Sequence, residues 1–365
     1  MSEDEADPEL LELLRKSLGI SSAPVGISEE TRVLENAQYI CDNSIDVAIH
    51  PWGTKAAARS IWDLMQQKEY STKTWSTHDL HPDTKDETTV DFIFTMDLLN
   101  FCFWSERSSE ERFAVEYQGK GWTGYWSLVA ALRRALEDEI PITSPEFWVD
   151  EEQCSEEKLQ HVFRSATEET IPLFEERVAC LREAGRILCE NFEGSFLNCI
   201  EEASGSAGAL VNIIVQNFPC FKDEVRFEGR TVRLYKRAQI LVADIWACFE
   251  EQGYGEFRDI DKITMFADYR IPQMLHTLGC LQYSPPLENH IRRLRLLECG
   301  HSWEVQLRGC SIWCVELIKR EIVKLHPEAT VNAILIDFFL YDSMKERELA
   351  GEEEIPHHRT RSIWY

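Results

Sequence analysis

Apolar side chains recur at helical spacing through much of this chain. Phe174, Val178, Leu181, Leu188 and Phe192 fall on one face, and Leu234, Ala238, Leu241, Ile245 and Phe249 repeat the pattern. Ser144-Pro145-Glu146 predicts a helix start, with a hydroxyl cap, a proline in the first turn and an acid where the helix favours one. Strand signals are fewer. Arg112–Gln118 followed by Gly119 and Gly121 suggests one short hairpin, and Val225–Leu234 around Glu228-Gly229 suggests a second. The expected fold is mainly α and compact, with minor β hairpins. Residues 1–30 read as an acidic N-terminal appendage, a leucine-bearing stub followed by a Ser/Pro/Gly linker at Ile20–Ile27. From Thr31 on there is no repeat, long linker or compositional break, so 31–365 is expected to be a single helical domain.

Acids inside apolar runs carry the chemical information. Ala333–Tyr341 would be apolar on every face but for Asp337, and a helix apolar all round is buried. A buried, unpaired carboxylate costs several kcal/mol, so Asp337 needs a cation, strong donors or a ligand. A structural arginine such as Arg308 is one answer. Asp342 lies about 140° further round the same helix, at the border of its apolar body. Asp268, between Phe266 and Tyr269 and shortly before Pro272, stands at a loop-to-helix junction. It reads first as a helix cap, although a carboxylate on a rigid turn between aromatic walls also suits an active site. Lys236 and Gln239 fall off the apolar stripe of Tyr235–Trp246, where plain solvation is the simple reading. Asp97 and Asn100, in an aromatic-rich run, suit buried hydrogen bonds between helices. His78 and His81 occupy a polar loop without partners at metal-ligand spacing.

Charge narrows the range of partners. The 365 residues include 64 acids and 38 Lys or Arg, for a formal net charge of −26. A surface so negative repels nucleic acid and anionic membranes, so neither is an expected partner. A small anion would need a locally basic pocket. The 12 cysteines form no CxxC pair, and several sit in apolar helical settings as small hydrophobes. With no basic or apolar leader and no run long enough to span a bilayer, the expected location is cytoplasmic. GxSxG, P-loop, GxGxxG and HExxH patterns are all missing, and no cofactor or metal is expected.

Longer stretches are more specific. MDLLNFCFWSE (96–106), TGYWSLVAALRRALEDEIPIT (123–143), GSFLNCI (194–200), YKRAQILVADIW (235–246), ITMFADYRIPQ (263–273), RGCSIWCVELI (308–318) and NAILIDFFLYD (332–342) occur in order. Together they resemble the queuosine 5'-phosphate N-glycosylase family over nearly all of residues 35–365. The resemblance implies a fold similar to helix-hairpin-helix DNA glycosylases. It also implies a small-molecule substrate, queuosine 5'-phosphate, whose N-glycosidic bond is hydrolysed to release queuine for tRNA modification; a monomer is expected. It places the catalytic aspartate at Asp268 and the active-site lysine at Lys236. Substrate contacts fall on His78, Phe266, Asp337, Phe338 and Asp342. Phe338 and Tyr341 depart from the Tyr and Trp often found at these positions but remain aromatic. Positive charge for the phosphate has candidates in His78, Lys236, Arg237, His357, His358, Arg359 and Arg361, of which His78 and Lys236 have motif support. The rival reading is a non-enzymatic helical adaptor or base-binding protein with structural buried acids, of which the adaptor expects no cleft and a salt-bridged Asp337.

Overall fold

The long helix Ser302–Leu325 is the axis against which much of the chain packs. This computed structural model describes residues 27–365 apart from Thr77 and Asp83. Val33–Asp42 and Pro51–Gln67 lie along the axial helix. Gly309 permits the closest approach, since a Cβ there would stand 2.5 Å from the Ile40 side chain. A second group is centred on Lys236–Cys248, which touches Thr72–Ser76, Glu87–Leu98 and Ala207–Asn217. Arg270–Thr277 and Ala333–Ala350 pack together and both reach the axial helix. One continuous apolar core runs through these elements.

Both expected hairpins form, as Ala114–Tyr117 with Lys120–Thr123 and Glu224–Phe227 with Arg230–Arg233. Their two-residue turns, Gln118-Gly119 and Glu228-Gly229, have positive φ at both positions, which matches strand twist in tight hairpins. A third pair was not anticipated: Val47–Ile49 runs antiparallel to Leu281–Tyr283. Ser144 caps its helix by accepting from the Phe147 N–H at 3.3 Å. The expected appendage lies mostly outside the described residues. Its last residues are held to the body, where Asn212 Nδ2 donates to the Ser28 carbonyl at 2.6 Å and Glu29 pairs with Arg258.

Lys236–Cys248 departs from the amphipathic expectation. Lys236, Arg237, Gln239 and Asp244 are all buried, because neighbours cover the helix on every side. Solvation is therefore not what accommodates Lys236 and Gln239. Arg237 donates to the carbonyls of Leu98 and Cys220, and the short helix end at Asp97 is closed by Asn100 Nδ2 donating to Asp97 Oδ1 at 3.0 Å. All twelve cysteines are free, and no described helix is long and apolar enough to cross a membrane.

Candidate active site

The turn bearing Asp268 is held from several directions. Gln239 lies on the buried helix and accepts from the Thr264 N–H at 3.0 Å. Asp337 Oδ1 accepts from the Phe266 N–H at 2.9 Å. Arg308 Nε donates to the Ala267 carbonyl at 2.8 Å, while its other nitrogens pair with Asp223 and Glu304. Asp268 then accepts through Oδ1 from the N–H groups of Arg270 at 2.8 Å and Ile271 at 2.9 Å. Asp268 is thus a helix cap, as its local sequence suggests. Its Oδ2 makes no hydrogen bond among the described residues and remains available.

This turn borders a cavity of about 610 Å³. His78, Lys236, Phe266, Asp268, Asp337, Phe338 and Asp342 all line it, so the fold gathers residues that are up to 264 positions apart (342 − 78). The Phe266 and Phe338 rings stand 5.9 Å apart at 47°, walls suited to a flat heterocycle. His78 is stacked on Trp126, and His81 on Trp75 with its Nε2 2.8 Å from the Tyr125 hydroxyl. The expected polar loop is therefore an aromatic wall in which His81 is buried. Burial lowers the pKa of both histidines, that of His81 to about 3, so both are neutral at pH 7.

Electrostatics here is dominated by desolvation. Lys236 is only 6% exposed, and its ammonium makes no hydrogen bond among the described residues. Burial pulls its pKa down, and the nearby charges of Asp268, Asp97 and Asp337 oppose that pull. Burial raises Asp268, with Lys236 and the two backbone donors opposing. Asp337 is pushed well above the carboxylate range by burial and then by Asp268. Among the described residues it has no cation in contact, since Arg308 is spent on Asp223 and Glu304. In such a place the charged form of an acid is disfavoured until a cation arrives. Asp342 is likewise raised by burial, and accepts from the Tyr70 hydroxyl at 2.5 Å. Both expectations of the adaptor reading, a salt-bridged Asp337 and no cleft, are unmet.

A profile described as "Queuosine salvage protein" matches residues 80–365. The chain belongs to that family. A relative in Schizosaccharomyces pombe named queuosine 5'-phosphate N-glycosylase/hydrolase is 44% identical over 349 residues, covering 92% of this chain and 100% of its own. Relatives of the same name in Mus musculus and Sphaerobacter thermophilus are 43% and 36% identical, over 91% and 92% of this chain and 98% and 95% of theirs.

The cavity of this queuosine salvage family member also holds a residue that sequence reasoning passed over. Asp244 lines it and accepts from Trp75 Nε1 at 3.0 Å. Burial and then the neighbouring Asp97 raise its pKa well above the usual range. The signal was present: ILVADIW is an acid within an apolar run, as NAILIDFFLYD is around Asp337. Among the phosphate candidates, Arg237, His358 and Arg361 do not line the cavity. Arg237 and Arg361 are committed to main-chain carbonyls, and His358 lies 3.3 Å from the Tyr365 hydroxyl. His78, Lys236, His357 and Arg359 do line it. No group of three or more His, Cys, Asp or Glu among the described residues is arranged to hold a metal.

Proposed function

We propose that this protein hydrolyses the N-glycosidic bond of queuosine 5'-phosphate, giving queuine and ribose 5-phosphate. The observation that carries this reading is the meeting of Asp268 and Lys236 with paired aromatic walls and the unpaired acid Asp337 in one buried cavity. In the reaction the bond from the anomeric carbon to the base nitrogen breaks, and its electron pair leaves with the base. Water adds to the anomeric carbon and supplies the proton the base takes up.

Positive charge grows on the ribose as the bond lengthens, and a preorganised carboxylate stabilises it. Asp268 is suited to this because its cap fixes Oδ1 and leaves Oδ2 free. Direct stabilisation, orientation of the water and covalent capture all fit this geometry. Lys236, the largest attractive influence on Asp268, opposes the rise that burial imposes and so favours its charged form. The base of queuosine has carbon at position 7, so protonation there cannot assist its departure, and the burden on the carboxylate is heavier. Phe266 and Phe338 offer ring faces against which the base packs in this reading, and His78 adds a further wall. The secondary amine of queuine is a cation of the kind Asp337 and Asp342 lack.

The same reading has the enzyme act as a cytoplasmic monomer on the free nucleotide, without a cofactor and without binding nucleic acid. The net charge of −26 supports the last point. The largely helical fold is compatible with a likeness to helix-hairpin-helix DNA glycosylases. The deciding experiment is incubation of the purified protein with queuosine 5'-phosphate, followed by chromatography for queuine. Stoichiometric release supports the reading, and unchanged nucleotide at high enzyme concentration refutes it.

A further inference from the structure

Apart from Lys236 beside Asp268, the Lys and Arg side chains lining the cavity divide into two sets. Arg112, Arg270 and Lys345 converge on Glu348, and Arg270 also pairs with Glu353 at 3.1 Å. Each of the three is thus already paired with an acid. Arg107 and Arg359 line the same cavity yet make no ion pair and no side-chain hydrogen bond among the described residues. In a chain with 64 acids against 38 bases, two cavity arginines without an acid in contact are an uneven distribution of charge that invites an anion.

The backbone holds this end of the cavity firmly. The Leu297 N–H donates to the Arg359 carbonyl at 2.8 Å, and Trp104 Nε1 donates to the Thr360 carbonyl at 2.8 Å. Trp104 lies near both neighbours, with the Arg361 guanidinium 3.6 Å and that of Arg359 5.5 Å from its ring. Arg361 also donates to the Trp104 carbonyl, whereas Arg359 keeps all its donors. Arg107 follows Trp104 by three residues, its own N–H held by Ser105 Oγ at 2.9 Å. The wall continues to the candidate catalytic turn: the His357 ring is 6.3 Å from Trp104 and 4.7 Å from Tyr269, the residue after Asp268. In a ribose 5-phosphate the phosphate stands across the sugar from the anomeric carbon. With that carbon at Asp268, the wall beyond Tyr269 and His357 is within the same cavity and open to the phosphate.

We propose that Arg107 and Arg359 form the subsite that holds the 5'-phosphate, with His357 between them and the candidate catalytic turn. This rests on the reading of the substrate as a nucleoside 5'-monophosphate. Planar guanidinium groups with free donors match phosphate oxygens in bidentate fashion. The subsite gives the enzyme its preference for nucleotide over nucleoside, and supplies binding energy remote from the bond that breaks.

The test compares wild type, Arg107→Gln, Arg359→Gln and Arg359→Lys on queuosine 5'-phosphate and on queuosine. Loss of a charge-assisted contact lowers kcat/KM for the nucleotide by about 10- to 100-fold in each Gln variant, while kcat/KM for the nucleoside changes by less than about 3-fold. Arg359→Lys restores part of the nucleotide activity. Equal losses on both substrates, or a wild type that does not distinguish them, overturn the proposal. Calorimetric titration with ribose 5-phosphate separates this question from the function itself. If wild type cleaves neither substrate, the functional reading fails. The subsite then stands if binding is weakened in both Gln variants, and falls if binding is absent or unchanged by them.

Discussion

Replacing Asp268 by Asn and by Ala separates the two tasks its side chain carries. Oδ1 accepts from the Arg270 and Ile271 N–H groups, and asparagine caps helices about as well as aspartate, so Asp268→Asn keeps those bonds. Its stability should stay within about 1 kcal/mol of wild type, since the lost attraction to Lys236 is partly offset by relief of a buried charge. Asp268→Ala removes the cap as well, a further loss of about 1 kcal/mol. Catalysis should respond differently. Both variants lack the negative charge that opposes a developing cation, a contribution of about 3 kcal/mol or more, or at least roughly a hundredfold in kcat. The assay pairs urea denaturation with queuine release under saturating nucleotide. The expected signature is two equally inactive variants of unequal stability. Turnover of Asp268→Asn within a factor of about 3 of wild type removes this residue from the chemistry. Equal stability of the two variants contradicts the cap.

Asp337→Asn should leave the melting temperature nearly unchanged, because burial already disfavours the charged carboxyl and Asn can still accept from the Phe266 N–H. It should weaken queuine binding by about 1.5–3 kcal/mol through loss of a charge-assisted contact; unchanged affinity with a large loss of stability, by calorimetry and thermal melts, assigns the acid to the core instead. Glu348→Gln tests the paired cluster: burial raises this carboxyl, but Arg270 and Lys345 hold it at about 2. A depressed folded-state pKa stabilises above the unfolded value near 4.5 and is lost as pH falls towards 2. The variant should therefore be less stable at pH 7 by about 3 kcal/mol, with the gap closing between those pH values in denaturation curves; a gap independent of pH contradicts the pairing. Dialysis against a chelator should leave queuine release intact, and loss of activity that only added zinc or magnesium restores would refute the metal-free reading.

Much of this molecule was legible locally. Helical periodicity, the Ser144 cap and the two-residue hairpin turns depend on residues close in sequence, so pattern and φ preference suffice to predict them. An acid in an apolar run is equally local, because the cost of desolvation does not depend on which helix covers it. That rule found Asp337 and applies to Asp244 without change. The resemblance named the residues around the cavity, but not their contacts.

What tertiary structure alone decided was partnership. Arg308 could reach any of several acids by composition, and the fold gives it Asp223 and Glu304, leaving Asp337 without a cation. Lys236 and Gln239 lie off an apolar stripe, yet neighbours on every side bury them, because a polar side chain may face solvent or an internal cavity with the same periodicity. The strand pair Val47–Ile49 with Leu281–Tyr283 joins segments too short and too distant to announce each other. Asp268 shows the division within one side chain. Its sequence context suffices to predict the cap through Oδ1, but only the packing around the cavity leaves Oδ2 open to a substrate, because burial and the neighbouring lysine arise from segments that meet only when the chain folds.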